Sequence, residues 1–279
     1  MKLLILGGKG MAGHVMKSYF IQKQEYDVFY TSRDSRDANS LYMDVTDVNR
    51  VEEIIESVKP DIVINCIGIL NDHATNNPLV ALQLNSLLPH QLSKLTERYG
   101  GKLIQISTDC VFLGNKGDYT EDDIPDGNSV YARSKQLGEI ISNKHLTVRT
   151  SIIGPELKDK GIGLFYWFMK QAGEIKGYEK VLWNGITTLE LAKATEEMIK
   201  NNVTGLYHLG SQTKISKYAL LKLIQEVFGK DDVKIIQDHT IELDRTIKST
   251  RTDYSYEIPS YYEMLAALRD WMISNDTIS

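Results

Sequence analysis

The segment GGKGMAG at residues 7–13 constrains the fold of this chain more than any other feature of the sequence. It lies between KLLILG (2–7), which has the pattern of a buried strand, and GMAGHVMKSYFIQK (10–23), which has the pattern of a helix. Glycines in such a segment permit a tight turn, close approach of a pyrophosphate, and contact between helix and strand. The helix N-terminus then offers N–H groups to the phosphates. We predict a dinucleotide-binding βαβ unit with cofactor contacts at Gly7, Gly10, Met11 and Gly13.

Strand-like and helix-like segments alternate over the first half of the chain. The predicted strands after the first are 26–32, 61–68, 102–107 and 146–151, and the predicted helices are 46–58, 78–98 with a kink at Pro89, and 130–143. Residues 113–128 are polar and rich in turn formers, which is typical of a loop. Alternation of this kind predicts an α/β fold, a Rossmann-type doubly wound parallel sheet.

The pattern is looser in the second half. Helices are predicted at 163–172, 187–201, 216–229 and 263–272, and strands at 180–183, 205–209 and 233–236. We predict a dinucleotide-binding domain over 1–150, completed by parts of 180–210. The remainder, 151–279, is predicted to be mainly a smaller C-terminal lobe that binds the substrate.

Composition excludes several classes of protein. The net charge of −5 and the absence of a basic run argue against nucleic-acid binding. No segment approaches the roughly 20 apolar residues that span a bilayer. The two cysteines, Cys66 and Cys110, do not make a disulfide framework, and no His/Cys spacing indicates a metal site. We therefore expect a cytoplasmic protein without a metal, a membrane partner or a nucleic-acid partner.

The end of the second predicted strand bears on the choice of cofactor. Ser32 and Arg33 favour NADPH, because a cation accommodates the 2′-phosphate. Asp34 follows directly and leaves NADH as an alternative cofactor, since an acidic residue there would hold the ribose hydroxyls. The expected cofactor is NADPH, with NADH as the alternative.

Three Tyr-x-x-x-Lys pairs occur, beginning at Tyr19, Tyr131 and Tyr218. The spacing alone predicts nothing, but Tyr131 follows the fourth strand of the βαβ pattern and the loop that leaves its carboxyl end. Ligands of open α/β sheets bind outside these carboxyl ends. Tyr131 and Lys135 are therefore the pair that we interpret as functional.

The same strand ends in QISTDCVF (105–112), which would place Ser107, Thr108 and Asp109 beside the pair. Serine or threonine could hydrogen-bond a substrate carbonyl while Tyr131 donates a proton to its oxygen. We expect Lys135 to lower the pKa of Tyr131 and to hold the nicotinamide ribose. Hydride transfer would belong to the nicotinamide.

GxxGxxG, STD and YxxxK in this order resemble the extended short-chain dehydrogenases/reductases. More closely, STDCVF (107–112) and VYARSKQLGE (130–139) are similar to the dTDP-4-dehydrorhamnose reductase family, whose usual forms are STDYVF and VYGKTKLxGE. Further similar segments follow in family order: MDVTD (43–47), VINCIG (63–68), VRTSIIG (148–154), WNGITTLELAKA (183–194) and GLYHLGS (205–211).

The resemblance implies roles for individual residues. Thr108, Tyr131 and Lys135 match the catalytic set, and Tyr131 and Lys135 would also contact the cofactor. The other implied cofactor contacts are Asp44 and Val45 at the adenine, Cys66, Ile67 and Gly68 at the ribose, and Asn85 behind the active site. Two positions depart from the family pattern, because Cys110 replaces a tyrosine and Cys66-Ile-Gly68 replaces a run of alanines.

The resemblance also implies a reaction. The 4,6-dehydratases carry Thr-Asp-Glu at this strand end, whereas Cys110 stands in the third position here. This favours NAD(P)H-dependent reduction of the 4-keto group of a nucleotide-linked 4-keto-6-deoxy sugar, for surface polysaccharide biosynthesis. We lean to a UDP-4-keto-6-deoxy-N-acetylhexosamine, with dTDP-4-dehydrorhamnose as the other substrate. An epimerase and a nucleotide-binding regulatory subunit stay open as alternatives.

Substrate contacts are predicted on both halves of the chain. Thr108 and Asp109 would lie at the sugar, and Trp183 and Asn184 could line it, although an aromatic there is as often a core residue. Arg245 is the candidate for the diphosphate, with a solvated charged loop as the alternative. The expected partners are the nucleotide sugar and a second copy of the chain in a homodimer.

Overall fold

A seven-stranded sheet organises the protein, for which we describe residues 1–157 and 161–275 of a computed structural model. The chain divides into two compact units. Unit 1 comprises Met1–Leu113, Ile124–Arg149 and Met198–Tyr207, and unit 2 comprises Gly114–Asp123, Thr150–Glu197 and His208–Ser279. The assignment of cofactor binding to 1–150 and substrate binding to 151–279 stays a prediction, and part of the latter range (158–160, 276–279) lies outside the described residues.

The strands are β1 (Lys2–Leu6), β2 (Asp27–Ser32), β3 (Leu41–Tyr42), β4 (Ile62–Asn65), β5 (Lys102–Thr108), β6 (Leu146–Thr150), β7 (Ile152–Ile153), β8 (Gly173–Tyr178), β9 (Val181–Trp183), β10 (Ile186–Thr187), β11 (Gly205–Leu209), β12 (Ile215–Ser216), β13 (Val233–Asp238) and β14 (Leu243–Asp244). The α-helices are α1 (Met11–Ile21), α2 (Val48–Val58), α3 (Asn71–Asn76), α4 (Pro78–Ala81), α5 (Leu88–Arg98), α6 (Val130–Leu137), α7 (Leu164–Met169), α8 (Thr188–Lys200), α9 (Lys217–Phe228) and α10 (Tyr261–Ser274). A π-helix spans Leu82–Leu87, and a 3₁₀ turn spans Asp109–Val111.

The large sheet has the order β11-β6-β5-β4-β1-β2-β3. β1 pairs in parallel with β2 and β4, and β4 pairs in parallel with β5. β4 and β5 are buried along their whole length, as is typical of central strands in a parallel sheet. Side chains of β1, β4, β5, α2 and α5 form a common core. The predicted Rossmann-type α/β fold is confirmed.

The helix predicted over 78–98 is three consecutive segments. α4 leads into the π-helix, and Pro89 lies at the start of α5, where a missing N–H is tolerated. The helix predicted over 130–143 is shorter than expected, because α6 ends at Leu137 with Gly138 as its C-cap.

Unit 2 contains small sheets in the orders β12-β9-β14, β13-β8 and β10-β7. β8 pairs in parallel with β13 over six residues, and the sequence argument did not predict β8. The helix predicted over 163–172 ends earlier, at Met169. Among the residues that the structure describes, no helix has the length and apolar character needed to cross a membrane.

Candidate active site

The glycine segment forms a tight turn between β1 and α1. Gly7 has a left-handed backbone (φ 80°), and its carbonyl accepts a hydrogen bond from the Gly10 N–H at 2.8 Å. A Cβ on Gly13 would lie 2.1 Å from the Gly7 carbonyl oxygen, so a side chain does not fit there. α1 begins at Met11, and Gly10 at the cap has no side chain to occupy the first-turn N–H groups. This arrangement fits the pyrophosphate of a dinucleotide.

Lys9 from the same segment pairs with two carboxylates at the carboxyl end of β2. Its Nζ lies 3.0 Å from Asp34 Oδ2 and 3.2 Å from Asp37 Oδ2, and Lys9 holds the pKa of Asp34 at about 2. Ser32 is buried and its hydroxyl accepts from the Asp34 N–H, whereas Arg33 is exposed. Because the 2′ substituent of the ribose is recognised at this strand end, Lys9 joins Ser32 and Arg33 as a candidate contact.

The predicted adenine contacts lie just after β3. Asp44 accepts hydrogen bonds from the Thr46 N–H (3.0 Å) and hydroxyl (2.8 Å), which lower the pKa of its carboxyl group. Val45 is buried and belongs to the core of unit 1. Asp44 is thus fixed by its own turn, and Val45 anchors that turn to the core.

The segment after β4 lies against the glycine turn. Ile67 Cγ1 is 2.9 Å from the position that a Cβ on Gly7 would take, so the two segments are in direct contact. Burial raises the pKa of the Cys66 thiol to about 12, which makes it a poor nucleophile. A Cβ on Gly68 would contact the side chain of Asn85 at 3.4 Å. The predicted ribose contacts Cys66, Ile67 and Gly68 therefore border the predicted phosphate site.

Asn85 lies within the π-helix and joins this segment to α6. Its Oδ1 accepts from the Ile69 N–H, and its Nδ2 donates to the Ile69 carbonyl, both at 2.9 Å. The Nδ2 also donates to Ser134 Oγ at 3.0 Å. π-helical turns frequently mark functional sites, and the place of Asn85 behind the active site stays a prediction.

The carboxyl end of β5 brings Thr108 and Tyr131 together. Thr108 is buried, and its hydroxyl donates to Asp109 Oδ1 at 3.2 Å and accepts from the Cys110 N–H at 3.1 Å. The Thr108 hydroxyl also interacts with the phenol of Tyr131 and opposes the rise of its pKa that burial causes. Ser129 caps the helix that carries Tyr131. The two hydroxyl groups are therefore adjacent, as an interaction with one carbonyl oxygen requires.

Ser107 takes no part in this pair. Its hydroxyl donates to Glu139 Oε1 at 2.7 Å, and Glu139 in turn accepts two hydrogen bonds from Arg149, at 2.8 and 2.7 Å. Neighbouring residues of a strand point to opposite faces, which separates Ser107 from Thr108. Of the two residues left open by the sequence, Thr108 is the one beside Tyr131.

The relation between Lys135 and Tyr131 differs from the prediction. Lys135 Nζ donates to the Ile106 carbonyl at 2.7 Å, so its charge is directed to β5. Burial raises the pKa of Tyr131 well above its ordinary value, and the charges of Cys110 and Asp109 raise it further. The expected lowering of the Tyr131 pKa by Lys135 is thus wrong for this structure. Burial also lowers the pKa of Lys135 to about 8.

Trp183 and Asn184 are buried in unit 2. Trp183 Nε1 donates to Ser151 Oγ at 2.9 Å. Asn184 Nδ2 donates to the carbonyls of Ser211 (2.8 Å) and Ile247 (2.7 Å), and its Oδ1 accepts from the Ile247 N–H (3.1 Å). These polar groups hold unit 2 together, so their hydrogen bonds do not support the predicted role of sugar contacts.

Arg245 is half-buried and follows β14. Its Cγ lies 2.8 Å from the position of a Cβ on Gly114, which has a left-handed backbone (φ 94°). Arg245 thus packs closely on the start of the 114–123 segment of unit 2, and its role at a diphosphate stays a prediction.

Two charged residues near the site, Lys9 and Glu139, were not predicted from the sequence, although each has a recognisable signal there. Lys9 stands inside the glycine motif itself, where a cation can reach the end of β2. Glu139 follows Lys135 by four residues, and in the helix predicted over 130–143 this spacing would place the two opposite charges on one face. Among the described residues, no group of three or more His, Cys, Asp or Glu side chains is placed to hold a metal ion.

The Rossmann-type sheet, the glycine turn and the Thr108–Tyr131–Lys135 set define an oxidoreductase of the short-chain dehydrogenase/reductase class. The chain belongs to the RmlD substrate binding domain family, whose family model matches residues 1–256.

Three relatives indicate the range of this family. A probable low-salt glycan biosynthesis reductase, Agl14, of Haloferax volcanii is 27% identical over 259 residues, which cover 88% of this chain and 86% of the relative. A dTDP-4-dehydrorhamnose reductase of Mycobacterium tuberculosis is 34% identical over 146 residues, which cover 50% of this chain and 44% of the relative. Methionine adenosyltransferase 2 subunit beta of Bos taurus is 24% identical, with 82% of this chain and 72% of the relative covered.

Solved structures show the same fold. A dTDP-4-dehydrorhamnose reductase of Bacillus anthracis in complex with NADP has a TM-score of 0.81 at 21% identity and covers 97% of this chain and 99% of its own. A dTDP-4-dehydrorhamnose reductase of Clostridium acetobutylicum has a TM-score of 0.79 at 24% identity and covers 98% of this chain and 100% of its own.

Proposed function

We propose that the protein reduces the 4-keto group of a nucleotide-linked 4-keto-6-deoxy sugar with NADPH. The observation that carries this proposal is the neighbouring Thr108–Tyr131 pair at the carboxyl end of β5, with Lys135 buried on the same helix as Tyr131. All three residues belong to the unit that contains the glycine turn. The relatives named dTDP-4-dehydrorhamnose reductase support a ketone as the reacting group.

The side chains of this set suit a proton transfer. Thr108 and Tyr131 hydrogen-bond the ketone oxygen, and the Tyr131 O–H bond breaks as that oxygen takes the proton. NADPH, when bound, supplies the hydride for the carbonyl carbon. The raised pKa keeps Tyr131 protonated until the ketone oxygen becomes basic. A positioned acid of this kind contributes about 10²–10⁴ in rate.

The cofactor is held by the glycine turn and by the ends of β2 and β4. A side chain does not fit at Gly7 or Gly13, because neighbouring atoms occupy the Cβ positions. A turn built from glycines allows a pyrophosphate to approach the backbone closely. Lys9, Ser32 and Arg33 favour NADPH, because two cations at the 2′ position match a phosphate. Asp34 opposes it, so NADH is the weaker alternative.

The sugar nucleotide is either dTDP- or UDP-linked. The names of the relatives support dTDP-4-dehydrorhamnose, and the UDP-4-keto-6-deoxy-N-acetylhexosamine stays a prediction from the sequence. Both are tested together by following NADPH absorbance with dTDP-4-keto-6-deoxyglucose plus its 3,5-epimerase, and with UDP-4-keto-6-deoxy-N-acetylglucosamine. Turnover of either is the expected result, and the ratio of kcat/KM identifies the nucleotide. Binding of NADPH without turnover of either sugar contradicts the proposal.

A nucleotide-binding subunit without reductase activity is the second candidate. The similarity to methionine adenosyltransferase 2 subunit beta over most of the chain favours it. The variant Tyr131→Phe distinguishes the two functions, since a reductase loses about 10²-fold or more in kcat while NADPH binding is retained. A protein whose only activity is binding shows no ketone-dependent oxidation of NADPH before or after the change.

We further propose a homodimer and a role in surface polysaccharide biosynthesis. Leu79, Leu87 and Leu137 are more than half exposed on α4, the π-helix and α6, which pack on one another, and Ile141, also more than half exposed, lies just after α6. Sedimentation velocity is expected to give a dimer for the wild-type protein and a monomer for Leu87→Glu.

The proposed role in surface polysaccharide biosynthesis is supported by the name of the Agl14 relative, a glycan biosynthesis reductase.

A further inference from the structure

A buried ion pair lies behind the candidate catalytic residues and has no part in the chemistry described above. Glu139 and Arg149 keep only 4% and 3% of their side-chain surface exposed. The guanidinium donates to both carboxylate oxygens, at 2.8 and 2.7 Å, and lies 5.2 Å from the centre of the Phe112 ring. Burial of two charges costs desolvation free energy, and apolar residues in their place would often be as stable. Stability alone therefore gives little reason for this pair.

The pair is connected to each element that carries a candidate catalytic residue. Glu139 lies just beyond the end of α6, the helix of Tyr131 and Lys135. Ser107, which donates to Glu139, precedes Thr108 on β5. Glu139 therefore joins the helix of the proton donor to the strand of its neighbouring hydroxyl.

Lys135 is held between the same two elements. Its Nζ donates to the carbonyl of Ile106, which directly precedes Ser107 on β5. Burial of the ammonium favours the neutral amine, while the carboxylate of Glu139 favours the charged form. Arg149 on β6 acts by keeping the Glu139 carboxylate in place. Without Glu139, the positive charges of Lys135 and Arg149 would share a buried region.

We propose that Glu139, held by Arg149 and Ser107, is a positioning residue that keeps Lys135 protonated and seated on β5 during ketone reduction. This inference rests on the proposed reductase function. A protonated Lys135 has three N–H donors, for the Ile106 carbonyl and for the predicted contact with the nicotinamide ribose. The carboxylate supplies the charge that holds the proton on a buried amine, and the hydrogen bonds from Arg149 and Ser107 fix the carboxylate.

The direct test measures the pKa of Lys135 by NMR in protein labelled with ¹³C- and ¹⁵N-lysine, with the Lys135 signal identified by its loss in Lys135→Met. Glu139→Gln is expected to lower this pKa by about one unit or more, because an opposite charge at such range shifts a pKa by about 1–3 units. The double variant Glu139→Gln/Arg149→Gln removes the charge of Arg149 together with that of its partner and is expected to show the same direction. Glu53→Gln, which removes the acidic partner of Arg50 on α2, is the matched control without a shift.

The same variants predict a change in the pH profile. With the sugar nucleotide that is turned over, the basic limb of kcat in Glu139→Gln is expected to move to lower pH by the shift found by NMR. A Lys135 pKa unchanged in a folded Glu139→Gln or in the double variant overturns the inference. Lack of turnover of both sugars by the wild-type protein refutes the reductase function instead, and the NMR titration still decides whether Glu139 controls Lys135.

Discussion

Replacement of Gly138 by alanine tests how α6 is seated on the π-helix. A Cβ at this position would lie 1.8 Å from the carbonyl oxygen of Asn85 and 2.9 Å from its carbonyl carbon. Both are backbone atoms, so they cannot rotate away as a flexible side chain could. A carbon–oxygen contact relaxes at about 3.3 Å, so the two elements must separate by roughly 1.5 Å.

This separation is expected to reduce both the stability of the protein and its catalytic rate. Overpacking of a core contact costs about 1–3 kcal/mol, which corresponds to a decrease in Tm of about 3–10 °C for a protein of this size. α6 also carries Tyr131 and Lys135, and a displacement of about 1 Å of a catalytic group can cost about 10²-fold in rate. We expect Gly138→Ala to lower both Tm and kcat.

Thermal unfolding and NADPH oxidation with the accepted sugar nucleotide measure the two effects. The matched control is Gly100→Ala, because Gly100 has a left-handed backbone (φ 80°) and its Cβ would meet nothing within 4 Å in the part of the chain that the structure describes. This control is expected to cost about 1 kcal/mol in stability and to leave kcat unchanged. If Gly138→Ala keeps the wild-type Tm and kcat, α6 is not seated against Asn85 as described.

Three further predictions follow from single side chains. Lys9→Gln is expected to weaken NADPH binding about tenfold or more, with NADH binding little changed, in fluorescence titrations of both cofactors, since a charge-assisted hydrogen bond is worth about 1.5–3 kcal/mol. Asn184→Ala is expected to lower the free energy of unfolding in urea by about 2 kcal/mol or more, because it leaves buried backbone groups of Ser211 and Ile247 unpaired. Burial lowers the pKa of Lys102 from 10.5 to about 8, so the unfolded chain binds this proton more tightly. The free energy of unfolding, relative to Lys102→Met, is therefore expected to rise as the pH increases from about 8 to about 10.

The sequence predicted the sheet well because its signals are local. A glycine turn and continuous apolar strands specify the β1–α1 unit and the neighbouring strands without reference to distant residues. The π-helix was not predictable, since 82–87 has the composition of an ordinary helix and its geometry depends on Asn85 bonding to Ile69 and Ser134.

The roles of individual polar residues were predicted less well, because they depend on which partner is nearest in space. Ser107 and Thr108 are equivalent in sequence, and only the face of β5 decides that one meets Glu139 and the other meets Tyr131. Likewise, Trp183 and Asn184 are residue types that often contact ligands, but here their polar groups form hydrogen bonds within unit 2.

The interleaving of the two units along the chain has a consequence for dissection of the protein. β11 begins at residue 205, far from the rest of unit 1 in sequence, yet it borders β6 in the large sheet. A fragment cut after residue 150 would lose this strand and expose the hydrogen-bonding edge of β6, whose side chains are buried along its length. An unpaired strand edge of this kind invites pairing with other chains. Unit 1 is therefore not a module that can be excised by truncation, and its function is best separated from that of unit 2 by point substitutions in the intact chain.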